Sequence, residues 1–332
     1  MEPLQHVVPT LSVIMPNWNC RPWLGEALDS LLQQSSPPDE IIVIDDGSTD
    51  GSVEWLTEQA ERYPQLRVLS GARGGVSAAR NKGMAIAKGD FIYFMDADDF
   101  VANNLFADFR QTYAAHPSLE LFCFGAKLFL DAPSEQRDYN DIHQRNITGV
   151  MSGGSETLEK LIEHQSAHRI LWSSIVSRAL ILRAGIQFMP VQNHEDAPFM
   201  FALYLLAKQI YLTDQRYYFK RFINTSLSQI THDFSWVENY FTVRESSERF
   251  MQQQGMPVDE GLLDGYYLGL MEGCLIKIRK NRMSVPETRR LGIKSLARKM
   301  AHSNAKLMLL WYFPPLYAGL EACKKRLTRL ER

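Results

Sequence analysis

Short, uniformly apolar runs open this chain, and a stretch of helical periodicity separates each from the next. LSVIM (11–15) precedes LGEALDSLLQQ (24–34), and IIVID (41–45) precedes VEWLTEQAERY (53–63). A brief run at 66–69 precedes VSAARNKGMAIAKG (76–89), and FIYFM (91–95) follows. Apolar runs this short, without polar alternation, suit strands covered on both faces. Strands alternating with helices form βαβ units, which build a mostly parallel sheet flanked by helices. The expected class is α/β. Gly89 stands where a C-cap glycine would end the third helix.

The pattern loosens after about residue 115. LELFCFGAKLFL (119–130) reads as strand, and the polar stretch 131–149 as a loop or hairpin arm. Helical stretches are expected near 155–164, at 172–184, and from Glu195 to about Lys208. IYL (210–212) and RYYFKRF (216–222) read as a strand pair. From Ser235 onward the chain reads as helix, with turns at 254–257 and at Val285-Pro286. A length of 332 residues implies one large α/β domain or two lobes. The natural divisions are 1–115, 116–234 and a helical C-terminal region, 235–332.

Composition excludes more than it selects. A net charge of −2 carries no footprint for nucleic acid. Cys20, Cys123, Cys274 and Cys323 are scattered, without the spacing of a zinc site or a disulfide framework, which fits a reducing cytoplasm. The N-terminus lacks the pattern of a signal peptide. The longest apolar stretch, LMLLWYFPPLYAGL (307–320), is broken by Pro314-Pro315 and falls short of the ~18 residues that suggest a membrane span.

Ligands of open parallel sheets bind beyond the carboxyl ends of the strands. Strand one ends in Pro16-Asn17-Trp18-Asn19, strand two in Asp45-Asp46-Gly47-Ser48, and FIYFM in Asp96-Ala97-Asp98-Asp99. If the strands are neighbours, the three ends share one rim. Crowded carboxylates repel unless a cation neutralises them, and Mg²⁺ or Mn²⁺ takes one or two carboxylates plus phosphate oxygens. On that reading Asp98 ligates a metal bridging a nucleotide diphosphate, and Asp96 holds the ribose or assists the metal. The competing reading has Asp98 or Asp99 capping a helix that starts near Ala102. Asp46 either accepts a hydrogen bond from a base N–H or belongs to a plain turn, with Asp50 as the next helix cap. Trp18 either stacks on a base or lies in the core under the first loop. Arg80 lies about one turn into a helix that follows Gly74-Gly75, where it either supplements an anion site or forms a surface ion pair. GxGxxG is missing, so a dinucleotide site fails its own test. In Asn193-His194-Glu195-Asp196, Glu195 suits a cap, and Asp196 either caps or faces the cleft as a general base.

PNWN, IIVIDDGSTDGS and GGVSAARNKGMAIAKGDFIYFMDADD, in this order over residues 10 to 105, resemble the family 2 inverting glycosyltransferases. Weaker similarity runs through LWSSIVSRALI, HEDAPF and YYFKRFINTSLS. The resemblance implies a GT-A fold, with a Rossmann-like, mostly parallel sheet. Residues 1–115 would bind a nucleotide-sugar, commonly a UDP-sugar, and residues 116–234 the acceptor. It implies Mn²⁺ or Mg²⁺ at a DXD element made of Asp96 and Asp98. Asp46 would contact the base, Pro16, Asn17, Trp18 and Asn19 would line the nucleotide pocket, and Arg80 would lie near the nucleotide. Asp196 would be the base of a single inverting displacement that gives a β-glycoside. The acceptor would be a glycan or lipid-linked glycan of polysaccharide or lipopolysaccharide synthesis. Two departures stand out: Trp18 replaces the usual tyrosine, and Lys220-Arg221 stands in place of the common YR pattern near the diphosphate. A sugar-phosphate nucleotidyltransferase would need a glycine-rich N-terminal loop, which is missing. A non-catalytic sugar-nucleotide-binding module would not need both the DXD element and Asp196.

The basic, amphipathic segment from Lys277 to the C-terminus offers two partners. Its Lys and Arg beside Trp311, Tyr312 and Phe313 suit an anionic membrane, placing the protein peripherally on the cytoplasmic face of the inner membrane. Alternatively the segment packs on the core or on a second subunit of a homo-oligomer.

Overall fold

The computed structural model describes residues 8–131, 137–223, 234–280, 286–287 and 313. The first half of the chain alternates as its apolar runs dictate. Strand β1 (Leu11–Asn17) leads to helix α1 (Arg21–Leu32), β2 (Glu40–Asp45) to α2 (Ser52–Arg62), and β3 (Leu66–Ser70) to α3 (Val76–Ile86). Then come β4 (Phe91–Phe94), β5 (Phe100–Val101), α4 (Leu105–Ala115), β6 (Leu121–Leu130), β7 (Tyr139–Ile142), β8 (Gly149–Met151) and α5 (Ser155–Glu163). The rest is β9 (Ser174–Ser177), α6 (Arg178–Ala184), α7 (Asp196–Leu206), β10 (Ile210–Phe222), α8 (Ser235–Gln253) and α9 (Glu260–Lys280).

One sheet runs in the order β3-β2-β1-β4-β9-β6-β10-β5, with β7 on β6 and β8 on β10. Strands β3, β2, β1 and β4 are parallel neighbours. Asn17 pairs with Asp45 and Ile14 with Phe94, so the ends of β1, β2 and β4 lie side by side on one rim. β9 is antiparallel to both β4 and β6, and β10 is parallel to β6. The parallel core therefore continues into a mixed half.

The helices pack on this sheet by helical spacing. α1 buries Leu24, Ala27, Leu28 and Leu31, one stripe at i, i+3 and i+4 spacing. α3 lies unusually close on β1: a Cβ at Gly83 would collide with Ile14 Cγ2. That approach carries Arg80, one turn earlier, over the strand ends. α7 is buried on nearly every residue, and its Phe199 ring stacks on Phe188 at 4.2 Å.

Three expectations need correction. The stretch 172–184 is β9 followed by α6, not one helix. Its segment SIVS is buried at every position between two strands, where β-branched residues pack well. IYL and RYYFKRF form one strand, β10, whose register shifts between Leu212 and Tyr218. Gly89 is not a C-cap, because α3 ends at Ile86 with Ala87 after it. A Cβ at Gly89 would lie 2.6 Å from the Ser12 backbone nitrogen, so the glycine serves a close approach to β1. The polar stretch does supply a hairpin arm: β7 pairs antiparallel with β6.

The chain divides into two compact units, residues 1–226 with 246–258 and residues 227–245 with 259–332. The first holds the whole sheet. In the second, Tyr266 and Tyr267 meet edge to face, Arg244 pairs with Glu260 and Asp264, and Lys277 lies 3.9 Å from the Trp236 ring centroid. Among the described residues no helix is long and apolar enough to cross a membrane. Apart from exposed Phe313, the stretch 307–320 and the basic segment after Lys280, with the turn at Val285, lie outside the described residues but for Pro286 and Glu287.

Candidate active site

The first two loops of the rim are laced together. Asn17 is buried, and its Nδ2 donates to Asp45 Oδ2 at 2.6 Å and Ser48 Oγ at 3.2 Å. The backbone N–H groups of Gly47 and Ser48 donate to Asp45 Oδ1, the self-closing turn that aspartate favours. Asn19 adopts φ 54°, donates its N–H to Ser48 Oγ at 2.9 Å, and accepts the Thr49 N–H at 2.8 Å. Pro16 pairs with Ile44 inside the sheet. Asn17, Asn19 and Asp45 therefore form the frame of this rim.

Two further residues of these loops reach the segment that precedes α3. Trp18 is half-buried, and the Arg73 guanidinium lies 3.7 Å from its ring centroid. The ring is a loop element and not a core residue. Asp46 accepts the backbone N–H groups of Gly74 and Gly75, each at 2.7 Å. It thereby pins the segment that leads into α3. Asp50 accepts from Ser52 and from the Arg21 N–H, holding the starts of α2 and α1 together.

The third strand end carries the acidic centre. Ligand atoms of Asp96, Asp98 and Asp99 lie within 4.8 Å of one another. Asp99 is fully buried and accepts from the Tyr218 hydroxyl, from Lys220 Nζ at 2.9 Å and from the Arg221 N–H at 2.6 Å. It ties the turn to β10 and caps nothing: α4 begins at Leu105 after Asn104. Asp96 pairs with Arg80 at 3.2 Å and with Lys220 at 3.4 Å. Burial opposes charge on Asp96, but Lys220 and Arg80 outweigh it and hold its carboxyl below the usual range. Asp98 differs. Among the described residues no side chain donates to its carboxylate, while its backbone carbonyl accepts Arg221 Nε at 2.8 Å. Burial and the neighbouring Asp99 and Asp96 push Asp98 up to about 7, against the pull of Lys220. An uncommitted carboxylate beside two others is a donor set short of positive charge. Its all-oxygen chemistry fits a hard divalent cation.

Lys220 and Arg221 part company. Successive residues of a strand face opposite ways. Lys220 joins the acidic carboxylates themselves, whereas the buried Arg221 guanidinium holds the Asp98 backbone carbonyl and pairs with Glu26 of α1 and with Asp131, just after β6. The alternation in RYYFKRF carried this signal: the two side chains approach the acidic turn from different sides.

Asp196 opens α7. Arg80 Nη1 donates to Asp196 Oδ1 at 2.7 Å and to Glu195 Oε1 at 2.8 Å, and the Leu171 N–H donates to Asp196 Oδ2 at 3.3 Å. Burial raises the Asp196 carboxyl, with Asp96 adding to the rise and Arg80 opposing it. Burial and the adjacent Asp196 push Glu195 up to about 7. Arg80 is no surface ion pair, since only 5% of its side chain is exposed. Sequence reasoning missed Tyr218, which stacks on Trp172 at 4.3 Å beside Lys220. It also missed Arg73, and no local pattern announced either contact.

Residues 12–145 match the profile of the family described as Glycosyl transferase family 2. The chain is 30% identical over 230 residues to the "Uncharacterized glycosyltransferase EpsJ" of Bacillus subtilis (strain 168), covering 68% of this chain and 65% of that protein. The match thus spans just under two-thirds of that relative. Residues 1–349 of S. aureus TarS, solved in complex with UDP, superimpose with a TM-score of 0.60 at 21% identity, over 81% of this chain and 72% of that one. The mannosyltransferase PcManGT from Pyrobaculum calidifontis, in complex with GDP-Man and Mn²⁺, gives 0.53 at 16% identity over 96% and 80%. At such identities the likeness is one of fold.

Proposed function

The chain belongs to glycosyl transferase family 2 through residues 12–145, and on that footing we propose that it transfers a sugar from a nucleotide-sugar, a UDP-sugar by preference, to a hydroxyl of a glycan or lipid-linked glycan. The observation that carries this reading is the junction at Arg80, whose guanidinium touches both Asp96 at the DXD element and Asp196 at the start of α7. One guanidinium thus joins the carboxylate proposed for the donor side to the one proposed as the base.

Asp46 and Trp18 would receive the base, and the loop Pro16–Asn19 would wall the nucleotide. Asp98, with Asp96, would hold Mn²⁺ or Mg²⁺. When bound, that cation would supply positive charge to the diphosphate as it leaves. Lys220 adds a fixed cation beside Asp96. Asp196 removes the proton from the acceptor hydroxyl. The oxygen then bonds to the anomeric carbon as the bond to the diphosphate breaks on the opposite face. A single displacement inverts the centre, so an α-linked donor gives a β-glycoside. General-base help of this kind contributes roughly 10²–10⁴-fold, and a carboxyl raised by burial is a better match to neutral pH than a free one. Cell-surface polysaccharide or lipopolysaccharide synthesis is the setting that would supply such an acceptor, with the basic C-terminal segment meeting an anionic membrane or a second copy.

The test is a panel of nucleotide-sugars incubated with the full chain and Mn²⁺, followed for nucleoside diphosphate release. One donor should be consumed, faster once its acceptor is added. UDP binding by calorimetry with no donor turned over under any condition would count for a binding module instead.

A further inference from the structure

The helix that carries Arg80 holds more than the rim. Arg80 is 4% exposed, and both N–H groups of its Nη1 are spent, one on Glu195 and one on Asp196, while Nη2 donates to Asp96. These partners lie 16, 115 and 116 residues away in sequence. The guanidinium also lies 5.4 Å from the Phe188 ring centroid. The next residue, Asn81, grips the Phe188 backbone at two points: its Nδ2 donates to Phe188 O at 2.8 Å, and its Oδ1 accepts the Phe188 N–H at 2.9 Å. Gly83 seats the same helix directly against Ile14 of β1. So one turn of α3, fixed on the first strand, grips the segment from Phe188 to Asp196 at both ends.

We propose that Arg80, braced by Asn81, is a positioning residue: it sets Asp196 at a fixed place relative to Asp96 and does not itself bind the nucleotide. The inference rests on the glycosyl-transfer reading and reassigns a residue expected beside the nucleotide. Arginine suits this task because a planar fork with five donors can hold several carboxylates at set angles, which a lysine ammonium cannot. The carboxylates it holds are the base and a donor-side group, whose separation must match the distance from acceptor hydroxyl to anomeric carbon. Small misplacements of reacting groups are costly, since about 1 Å can lose on the order of a hundredfold.

The experiment compares the full-length wild type with Arg80→Lys and Asn81→Ala, measuring kcat, donor KM, UDP affinity with Mn²⁺ by calorimetry, and Tm. Arg80→Lys should lower kcat by about a hundredfold and Asn81→Ala by about tenfold. UDP affinity and donor KM should stay within about twofold, the pattern of an interaction felt only in the transition state. A tenfold loss of UDP affinity in Arg80→Lys would make Arg80 a nucleotide ligand and overturn the inference. So would unchanged kcat in both variants, or a fall in kcat that merely follows Tm. If Arg80→Lys does not fold, Asn81→Ala decides alone: reduced kcat at unchanged UDP affinity supports the proposal, and wild-type kcat overturns it. A wild type that turns over no donor defeats the functional reading first, before any variant is compared.

Discussion

The ammonium of Lys220 lies 2.9 Å from Oδ2 of Asp99, a carboxylate with no exposed surface that it shares with the hydroxyl of Tyr218. A buried charge left without its partner is strongly unfavourable. Lys220→Met should therefore destabilise the protein by about 3–5 kcal/mol, and adding Asp99→Asn should recover a substantial part. Urea unfolding of the two singles and the double tests this. Strict additivity would mean that the pair is not coupled.

The same pairing sets the order of cation binding. Asp96 and Asp99 are already engaged by Arg80 and Lys220, which leaves Asp98 as the free ligand. Cations of this type are usually completed by phosphate oxygens, so Mn²⁺ should bind at least about tenfold more tightly with UDP present than alone. Electron paramagnetic resonance of free Mn²⁺ measures both affinities. Asp98→Asn should abolish the difference, and chelation should halt transfer.

Asp196→Asn removes the base but keeps the size of the side chain. Transfer should drop by roughly 10²–10⁴-fold, with UDP affinity retained. Wild-type kcat in this variant would take Asp196 out of the reaction.

Gly83→Ala adds a methyl group where Ile14 already stands. Overpacking of this kind costs about 1–3 kcal/mol. The cost should come with a loss of kcat, because the displaced helix carries Arg80. Thermal melting and kinetics on one preparation test the pair of effects. Lost stability with kcat intact would show that α3 tolerates the shift.

His168 supplies a pH dependence away from the cleft. Burial, reinforced by Arg145 and His143, lowers its pKa from the ordinary histidine value to about 2, and its Nδ1 is buried without a partner among the described residues. The unfolded chain takes up this proton near pH 6.5, whereas the folded chain does so only near pH 2. Stability is thus full above pH 6.5 and falls with the pH below it. Between pH 7.5 and 5 the wild type should lose about 2 kcal/mol more than His168→Leu. Urea midpoints at the two pH values give the answer, and parallel losses would clear His168 of the effect.

The parts of this fold that were legible are those written locally. β1, β2 and β4 announced themselves as apolar runs ending in polar residues; their adjacency, which the sequence left as a condition, is met by the parallel pairing of β1 with β2 and with β4. β9 was not legible. A four-residue buried strand has the same apolar content as a helical turn, and its antiparallel insertion depends on neighbours far away in sequence. In the site, the acidic turn was visible, but its division of labour was not. Asp99 is spoken for by Tyr218 and Lys220, residues some 120 positions later, and Arg80 by Asp196 at 116. Local sequence shows a charge and cannot show which distant charge it meets. The opposite facing of Lys220 and Arg221 could have been read from strand alternation.

The placement of β9 has a practical consequence for anyone who would dissect the chain. The family match ends at residue 145, yet among the described residues β4 and β6 are joined through a strand contributed by residues 174–177, and β10, at 210–222, covers the far side of β6. A fragment cut to the matched span would leave β4 bare along one side and strip β6 of β9 and β10. Unpaired apolar strands of this kind invite edge-to-edge aggregation. The unit of sequence similarity is thus smaller than the unit of folding, and a soluble fragment must extend at least through Phe222.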